Sequence, residues 1–191
     1  MPGLRRERPP TRADIKELQR WCRIGPLEKL HNTLTYILKT LQRHDTFEEV
    51  VRRLYVDETV FTVFVGNITR WSSDYESILR AFRLREAVDE FTNMAICQNV
   101  NGERDFNLQE ALVHDELLPR GWEFLASVKE ILAPFKEWTL KLQVRYSNGC
   151  VADILPAMDE LLDHLELCRV QFRSGEHLLA MVNQGWAILD K

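Results

Sequence analysis

Apolar residues recur every three or four positions over most of the chain, which is the spacing of amphipathic helices. Glycine, proline or clusters of polar residues interrupt the pattern and separate one helix from the next. The pattern therefore indicates a predominantly α-helical protein. Helices are predicted over residues 13–23, 27–43, 46–54, 72–95, 108–117, 119–146 and 154–172, with a last helix from about residue 178 to the end.

Residues 56–65 are the exception, because they alternate and contain several β-branched side chains, as a strand does. A single strand cannot pair its own backbone groups, so we expect its partners to come from outside this chain. Ser72 or Ser73 is predicted to cap the helix that follows, and Glu76 completes a capping box with Ser73. The predicted order is therefore a strand, an exposed corner at Arg70 and Trp71, and a helix.

Composition excludes several classes of protein. With 191 residues, 45% hydrophobic and 28% charged, the chain matches an ordinary globular protein. A net charge of −4 counts against an autonomous DNA-binding domain. No apolar run approaches the ~18–20 residues that span a membrane. Residues 1–12 are basic and proline-rich without an apolar segment, so we predict a disordered leader and no secretory signal.

The four cysteines are scattered and include no Cys-x-x-Cys pair, which favours reduced thiols over a disulfide framework or a zinc site. His164 and Cys168 lie four residues apart, a spacing that suits metal binding. However, Cys168 belongs to an apolar seam and no second pair exists, so core packing is the stronger interpretation. His31 lies between apolar helix positions and is interpreted as a hydrogen-bonded histidine at a helix interface. The cysteines are Cys22, Cys97, Cys150 and Cys168.

Two acidic groups have the spacing of paired catalytic carboxylates. They are Asp89 with Glu90, and Asp159 with Glu160 and Asp163. Such groups usually form the solvated face of a helix, which is the interpretation we prefer. The tryptophans that recur on apolar helix stripes are predicted to be core residues: Trp122, Trp138 and Trp186.

The corner and the helix after it resemble a known family. Residues 69–73, TRWSS, then Tyr75 and residues 79–91, LRAFRLREAVDEF, are similar to the TRWNS block of hAT-superfamily (Activator-like) transposases, especially the fungal members. Three further blocks resemble the same family in the same order. They are residues 25–47, residues 122–142 (WEFLASVKEILAPFKEWTLKL) and residues 154–165 (ILPAMDELLDHL).

The resemblance implies a fold and a domain plan. In these transposases a helical domain is inserted after one strand of a ribonuclease-H-like α+β core. We therefore expect a leader at 1–12, a partial core with helices and one residual strand at 13–66, and an all-helical insertion domain at 67–191. The family has an acidic residue where Gly66 stands and an asparagine where Ser72 stands, so the match is not complete.

The resemblance also implies chemistry. The family cleaves and transfers DNA strands with three acidic residues that bind a divalent metal, expected to be Mg²⁺ for the intact enzyme. By resemblance two of these lie upstream of residue 15 and one downstream of residue 191. We therefore expect this chain to be a fragment that is catalytically inactive alone, with no catalytic or metal-binding residue and no cofactor of its own.

The resemblance assigns DNA contact to two residues. Trp71 matches the tryptophan that stacks on bases at the cleaved transposon end, and Arg70 beside it is expected to contact phosphate. The alternative is that Trp71 only packs at the strand–helix junction, since large aromatic side chains are usually buried. Arg80, Arg83 and Arg85 form a weak basic face nearby, interrupted by acidic residues.

Three hypotheses follow, in this order of preference. The first is a transposase fragment, nuclear as its relatives are, whose partner is transposon-end DNA. The second is a domesticated helical module that binds a protein partner or another copy through exposed apolar helix faces, without DNA chemistry. The third is an active nuclease, for which the sequence offers no converging carboxylates. None of the three involves a membrane.

Overall fold

The structure is a computed structural model, and its described part is predominantly helical. The described residues are 25–55, 62–66, 71–97, 112–144 and 154–189. The helices are α1 (Pro26–Leu38), α2 (Leu41–Leu54), α3 (Trp71–Arg83), α4 (Arg85–Cys97), α5 (Pro119–Val144), α6 (Ile154–Gln171) and α7 (Glu176–Leu189), and residues 112–115 are helical too. This confirms the predicted predominantly α class.

The predicted helix over 27–43 is two helices. Helix α1 begins with Pro26, whose fixed φ suits a first helical position. It ends at Leu38, and Thr40 then adopts extended backbone and accepts a hydrogen bond through its side chain from the Arg43 amide at 3.4 Å. This cap starts α2 at Leu41, several residues before the predicted start at 46. Apolar spacing alone did not reveal the cap.

The helix predicted over 72–95 is also divided, into α3 and α4. Its predicted caps are wrong, because α3 begins at Trp71 and so Ser72 and Ser73 lie within its first turn. The division at Leu84 is slight. Leu84 donates to the Arg80 carbonyl at 3.1 Å and accepts from the Val88 amide at 2.9 Å, so helical hydrogen bonds continue through the turn.

One compact unit of the chain is Ile24–Lys129. Its α1, α2 and α4 pack around Phe91, which contacts the ring of Phe47 edge-to-face at 5.7 Å and the ring of Tyr36 at 6.3 Å. Phe82 and Trp122 form a second edge-to-face pair at 5.3 Å. Such pairs contribute about 0.5–1.5 kcal/mol beyond the area they bury. Trp122 is 1% exposed, which confirms its predicted place in the core.

The residual strand predicted over 56–65 is not supported by the residues that the structure describes there. Residues 62–66 form no strand, and residues 56–61 lie outside the described part. Instead of strand partners, helix side chains satisfy the carbonyls. The Ser77 hydroxyl donates to the Phe64 carbonyl at 2.9 Å, and the Arg80 guanidinium donates to the Thr62 carbonyl at 3.0 Å. The segment is therefore held by α3.

The other compact unit contains Glu130–Lys191. Within it α6 packs against α7, and the predicted seam of α6 is confirmed where Leu161, Leu165 and Cys168 are buried. Pro134 lies inside α5, which continues through it to Val144. The buried cluster of this unit is Ile131, Leu165, Cys168 and Val182, with Phe135, Phe172, Leu178 and Trp186 packed against it.

Several predictions concern residues outside the described part. They are the leader at 1–12, the helix at 13–23, the polar loop at 99–107 and the turn at 147–149. The boundary between a partial core at 13–66 and an insertion domain at 67–191 also stays a prediction. Among the described helices, none has the length and apolar character needed to cross a membrane.

Candidate functional site at the start of helix α3

The two residues predicted to contact DNA lie at the start of α3. Trp71 is the first residue of the helix, while its side chain and all of Arg70 lie outside the described part of the structure. The amides at the start of any helix lack acceptors within the helix and face outward. The surroundings of this helix end therefore decide what it can bind.

The segment before the junction is anchored on two helices. Besides its bonds to Ser77 and Arg80 of α3, its Thr62 hydroxyl is 2.8 Å from Nε2 of His44 on α2. Val63 is 1% exposed and forms the apolar part of this anchor. Residues 62–66 consequently have a defined position against α2 and α3.

Gly66 lies against the first turn of α3. A β-carbon built on Gly66 would be 2.3 Å from Oδ1 of Asp74, 3.0 Å from its Cα and 3.1 Å from its backbone nitrogen. The distance to Oδ1 is shorter than real β-carbons show, and the two backbone distances are tighter than most, so a side chain at this position requires Asp74 to shift. This close packing is a physical reason for glycine at position 66.

Asp74 supplies the negative charge of this helix end. Burial raises the pKa of its carboxyl group, and the nearby His31 acts in the opposite direction. A carboxylate in the first turn interacts favourably with the positive end of the helix dipole. The same carboxylate repels phosphate, so this helix end is a weaker phosphate site than one without an acidic residue.

The predicted basic face is largely engaged in contacts within the chain. Arg80 donates to the Thr62 carbonyl, as described above. Arg85 lies 3.6 Å from Asp89 and over the ring of Trp122 at 5.0 Å. Arg83 is exposed and has contacts of its own. Cations that already have partners contribute less to DNA affinity, so the arginines of this face add little to the site.

A cleft of about 200 Å³ lies elsewhere in the Ile24–Lys129 unit. Hydrogen bonds tie one wall to α1: Lys29 donates to the carbonyls of His114 and Glu116, and Thr33 donates to the carbonyl of Asp115. The cleft is smaller than the ~300–1,000 Å³ typical of ligand pockets. Its lining residues are Thr33, Val88, Asp89, Thr92, Asn93, Glu116, Leu117, Leu118 and Pro119.

Asp89 is the titratable residue most affected by this environment. Burial raises its pKa, and the hydrogen bond from the Trp122 indole at 3.1 Å, together with Arg85, partly opposes the shift. The nearby Glu116 raises the pKa further. The Asp89 side chain nevertheless stays 40% exposed beside Arg85, and its neighbour Glu90 is 35% exposed and pairs with Arg53.

His164 and Cys168 form a contact within the core. Cys168 is 3% exposed, and its sulfur lies 3.5 Å from Nε2 of His164, which is 3.1 Å from the Ile131 carbonyl. Burial raises the pKa of the Cys168 thiol, and the charge of Glu130 adds to this, so the thiol is kept protonated. This confirms core packing for Cys168.

The other candidates are distributed over the surface and the core. Asp159, Glu160 and Asp163 are exposed, as predicted for a solvated face. Trp138 and Trp186 are half-buried, and both indole nitrogens are buried without a hydrogen-bond partner.

Cys97 and Cys168 form no disulfide, and the other two cysteines lie outside the described residues. Across the described ranges, no three His, Cys, Asp or Glu side chains are grouped to hold a metal ion.

The cleft was not predicted from the sequence, because it joins residues that are distant along the chain. The close approach of Gly66 to Asp74 spans only eight residues, but it depends on how residues 62–66 pack against α3, which the apolar pattern does not give. Gly66 was singled out in the sequence, but its neighbour Asp74 was not. Comparison of the chain with protein-family models, with curated proteins and with solved structures gives no match.

Proposed function

We propose that this chain is a fragment of a hAT-type cut-and-paste DNA transposase, catalytically inactive alone, that retains the Arg-Trp contact with transposon-end DNA. The proposal rests on the four ordered sequence blocks. In this role the chain acts in the nucleus, Trp71 stacks on an unpaired or hairpin base, and Arg70 neutralises a phosphate. Mg²⁺ and the catalytic acids belong to the intact enzyme.

One structural observation supports the proposal: Trp71 is the first residue of α3, and residues 62–66, which precede it in the chain, are held by hydrogen bonds to α2 and α3. A stacking residue needs a rigid base, because an aromatic ring that is already oriented loses little entropy when it binds. Base–aromatic stacking contributes about 1–3 kcal/mol per base, so one stacking tryptophan changes affinity about 5- to 150-fold.

The test compares the affinity of the full chain for duplexes with hairpin, unpaired and blunt ends by fluorescence anisotropy. Trp71→Ala is expected to weaken binding to hairpin or unpaired ends about tenfold or more, while Trp71→Phe retains most of the affinity because stacking survives. Arg70→Ala is expected to weaken all three DNAs similarly and to reduce the salt dependence by about one ion.

The matched control is Arg52→Ala on α2, because Arg52 is an exposed arginine paired with Glu48. It is expected to leave DNA affinity unchanged. Circular dichroism verifies that each variant keeps its helices. If the parent and Trp71→Ala bind hairpin ends equally, Trp71 has no role in DNA binding by this chain.

A helical protein-interaction module is the second candidate function. It is favoured by the large aliphatic side chains that stay exposed on α6. If the parent chain binds none of the three DNAs, this second function replaces the first.

A further inference from the structure

The outer face of α6 combines exposed aliphatic side chains with a buried opposite face. Leu155, Leu167 and Val170 are 68%, 70% and 69% exposed. At 100° per residue these positions fall within about 120° of one another around the helix. Leu165 and Cys168, on the opposite side, are 1% and 3% exposed. One side of α6 therefore builds the core while the other presents apolar surface to solvent.

The same outer face is acidic. Asp159, Asp163 and Glu166 are exposed and fall between the aliphatic positions around the helix, and Glu160 is exposed beside them. The basic residue nearest in sequence, Arg169, is half-buried and has its guanidinium over the Trp186 ring at 5.3 Å. The face thus offers three aliphatic contacts surrounded by four carboxylates.

We propose that this outer face of α6 is a docking surface for a basic amphipathic helix of a partner protein. Burial of apolar side chains would supply the attraction. Lysine or arginine beside the partner's apolar stripe would pair with the carboxylates, which orients the partner and speeds its association.

Charge argues against a second copy of the chain as the occupant. Two α6 faces brought together would place four carboxylates against four, and like charges across an interface oppose association. It also argues against DNA, because the phosphates meet the same carboxylates. The docking proposal rests on α6 and the DNA proposal on the Arg-Trp motif, so either proposal can fail without the other.

The test uses a designed 14-residue helical peptide with leucine at positions i, i+3 and i+7 and lysine beside that stripe. Its binding to the full chain is measured by fluorescence anisotropy. Leu167→Ala combined with Val170→Ala is expected to weaken binding tenfold or more, and so is Asp163→Lys combined with Glu166→Lys. Hydrogen exchange is expected to show protection by the peptide within residues 154–171.

The matched controls lie on α2, outside this unit. Leu41→Ala removes an aliphatic side chain that is 76% exposed, and Glu49→Lys reverses an exposed carboxylate. Both are expected to leave peptide affinity unchanged. All four substituted positions on α6 are exposed, so the variants are expected to fold, and circular dichroism verifies this.

Three results would overturn the proposal. The first is equal peptide binding by the parent and the Leu167/Val170 variant. The second is equal binding of a control peptide in which glutamate replaces every lysine. The third is self-association of the parent in sedimentation that the Leu167/Val170 substitutions abolish, because the occupant would then be a second copy of the chain.

Discussion

Replacing Gly66 with alanine tests whether the junction is packed as described. At a position with free space, glycine to alanine stabilises a protein by about 0.4–1 kcal/mol through the unfolded state. Here the added methyl group would lie 2.3 Å from Oδ1 of Asp74 and 3.0–3.1 Å from two of its backbone atoms. Overpacking of this kind costs about 1–3 kcal/mol, so Gly66→Ala is expected to lower the free energy of unfolding.

Asp74→Ala separates the clash of the added methyl group with the Asp74 side chain from its clash with the Asp74 backbone. Because it removes Oδ1 and leaves the backbone in place, the Gly66→Ala cost is expected to be smaller in the Asp74→Ala background but still present. For contacting residues such coupling is about 0.5–3 kcal/mol. The assay is urea denaturation of the four chains, with thermal midpoints falling about 2–4 °C for each kcal/mol lost.

Gly121→Ala is the matched control in the same compact unit. Its new methyl group would meet a terminal methyl of Leu117 at 3.2 Å, which is the flexible end of a side chain and can move. Its effect is expected to be less than half that of Gly66→Ala. If Gly66→Ala is as stable as the parent, the close approach of residues 62–66 to α3 is refuted.

Two further predictions concern the same helix. Ser77→Ala is expected to lower the free energy of unfolding by about 1–3 kcal/mol in urea denaturation, because it leaves the Phe64 carbonyl unpaired. Ser127→Ala removes only a hydrogen bond to a carbonyl of its own helix, so its free energy of unfolding is expected to stay close to that of the parent. Asp74→Asn is expected to be more stable than the parent at neutral pH, since the folded-state pKa of Asp74 is raised and its ionised form opposes folding. This gain in stability is expected to shrink as the pH falls through the raised pKa of Asp74, and to vanish below pH 3.8, the ordinary pKa of an aspartate. A gain that does not depend on pH would contradict the reasoning.

Sequence patterns predicted the helices well where one face of the helix is buried. Trp122, Leu125 and Val128 were expected on the inner stripe of α5 and are all at most 1% exposed. Farther along α5 the buried position is Ile131, whereas the spacing of four residues from Val128 would place it at Leu132, so the buried face shifts by one residue around the helix. Periodicity finds the face of a helix because burial repeats with the helical turn.

The local signals were less reliable at helix ends. The pattern of apolar residues continues across Thr40 and Leu84, so it predicted one helix where the chain forms two. Thr40 is a cap only because the chain adopts extended backbone there. The predicted strand failed over 62–66 for a different reason: β-branched residues favour a strand only when partner strands are present.

The sequence by itself determined the helical class, the buried face of α5 from Trp122 to Val128, and the core positions of Leu161, Leu165 and Cys168 on α6, because these follow from the local repeat of apolar residues. Only the tertiary structure decided which polar groups meet. The Phe64 carbonyl finds its donor 13 residues away and Asp89 finds Trp122 33 residues away. Hydrogen bonds and pKa shifts depend on distance and burial in space, which a one-dimensional pattern does not contain.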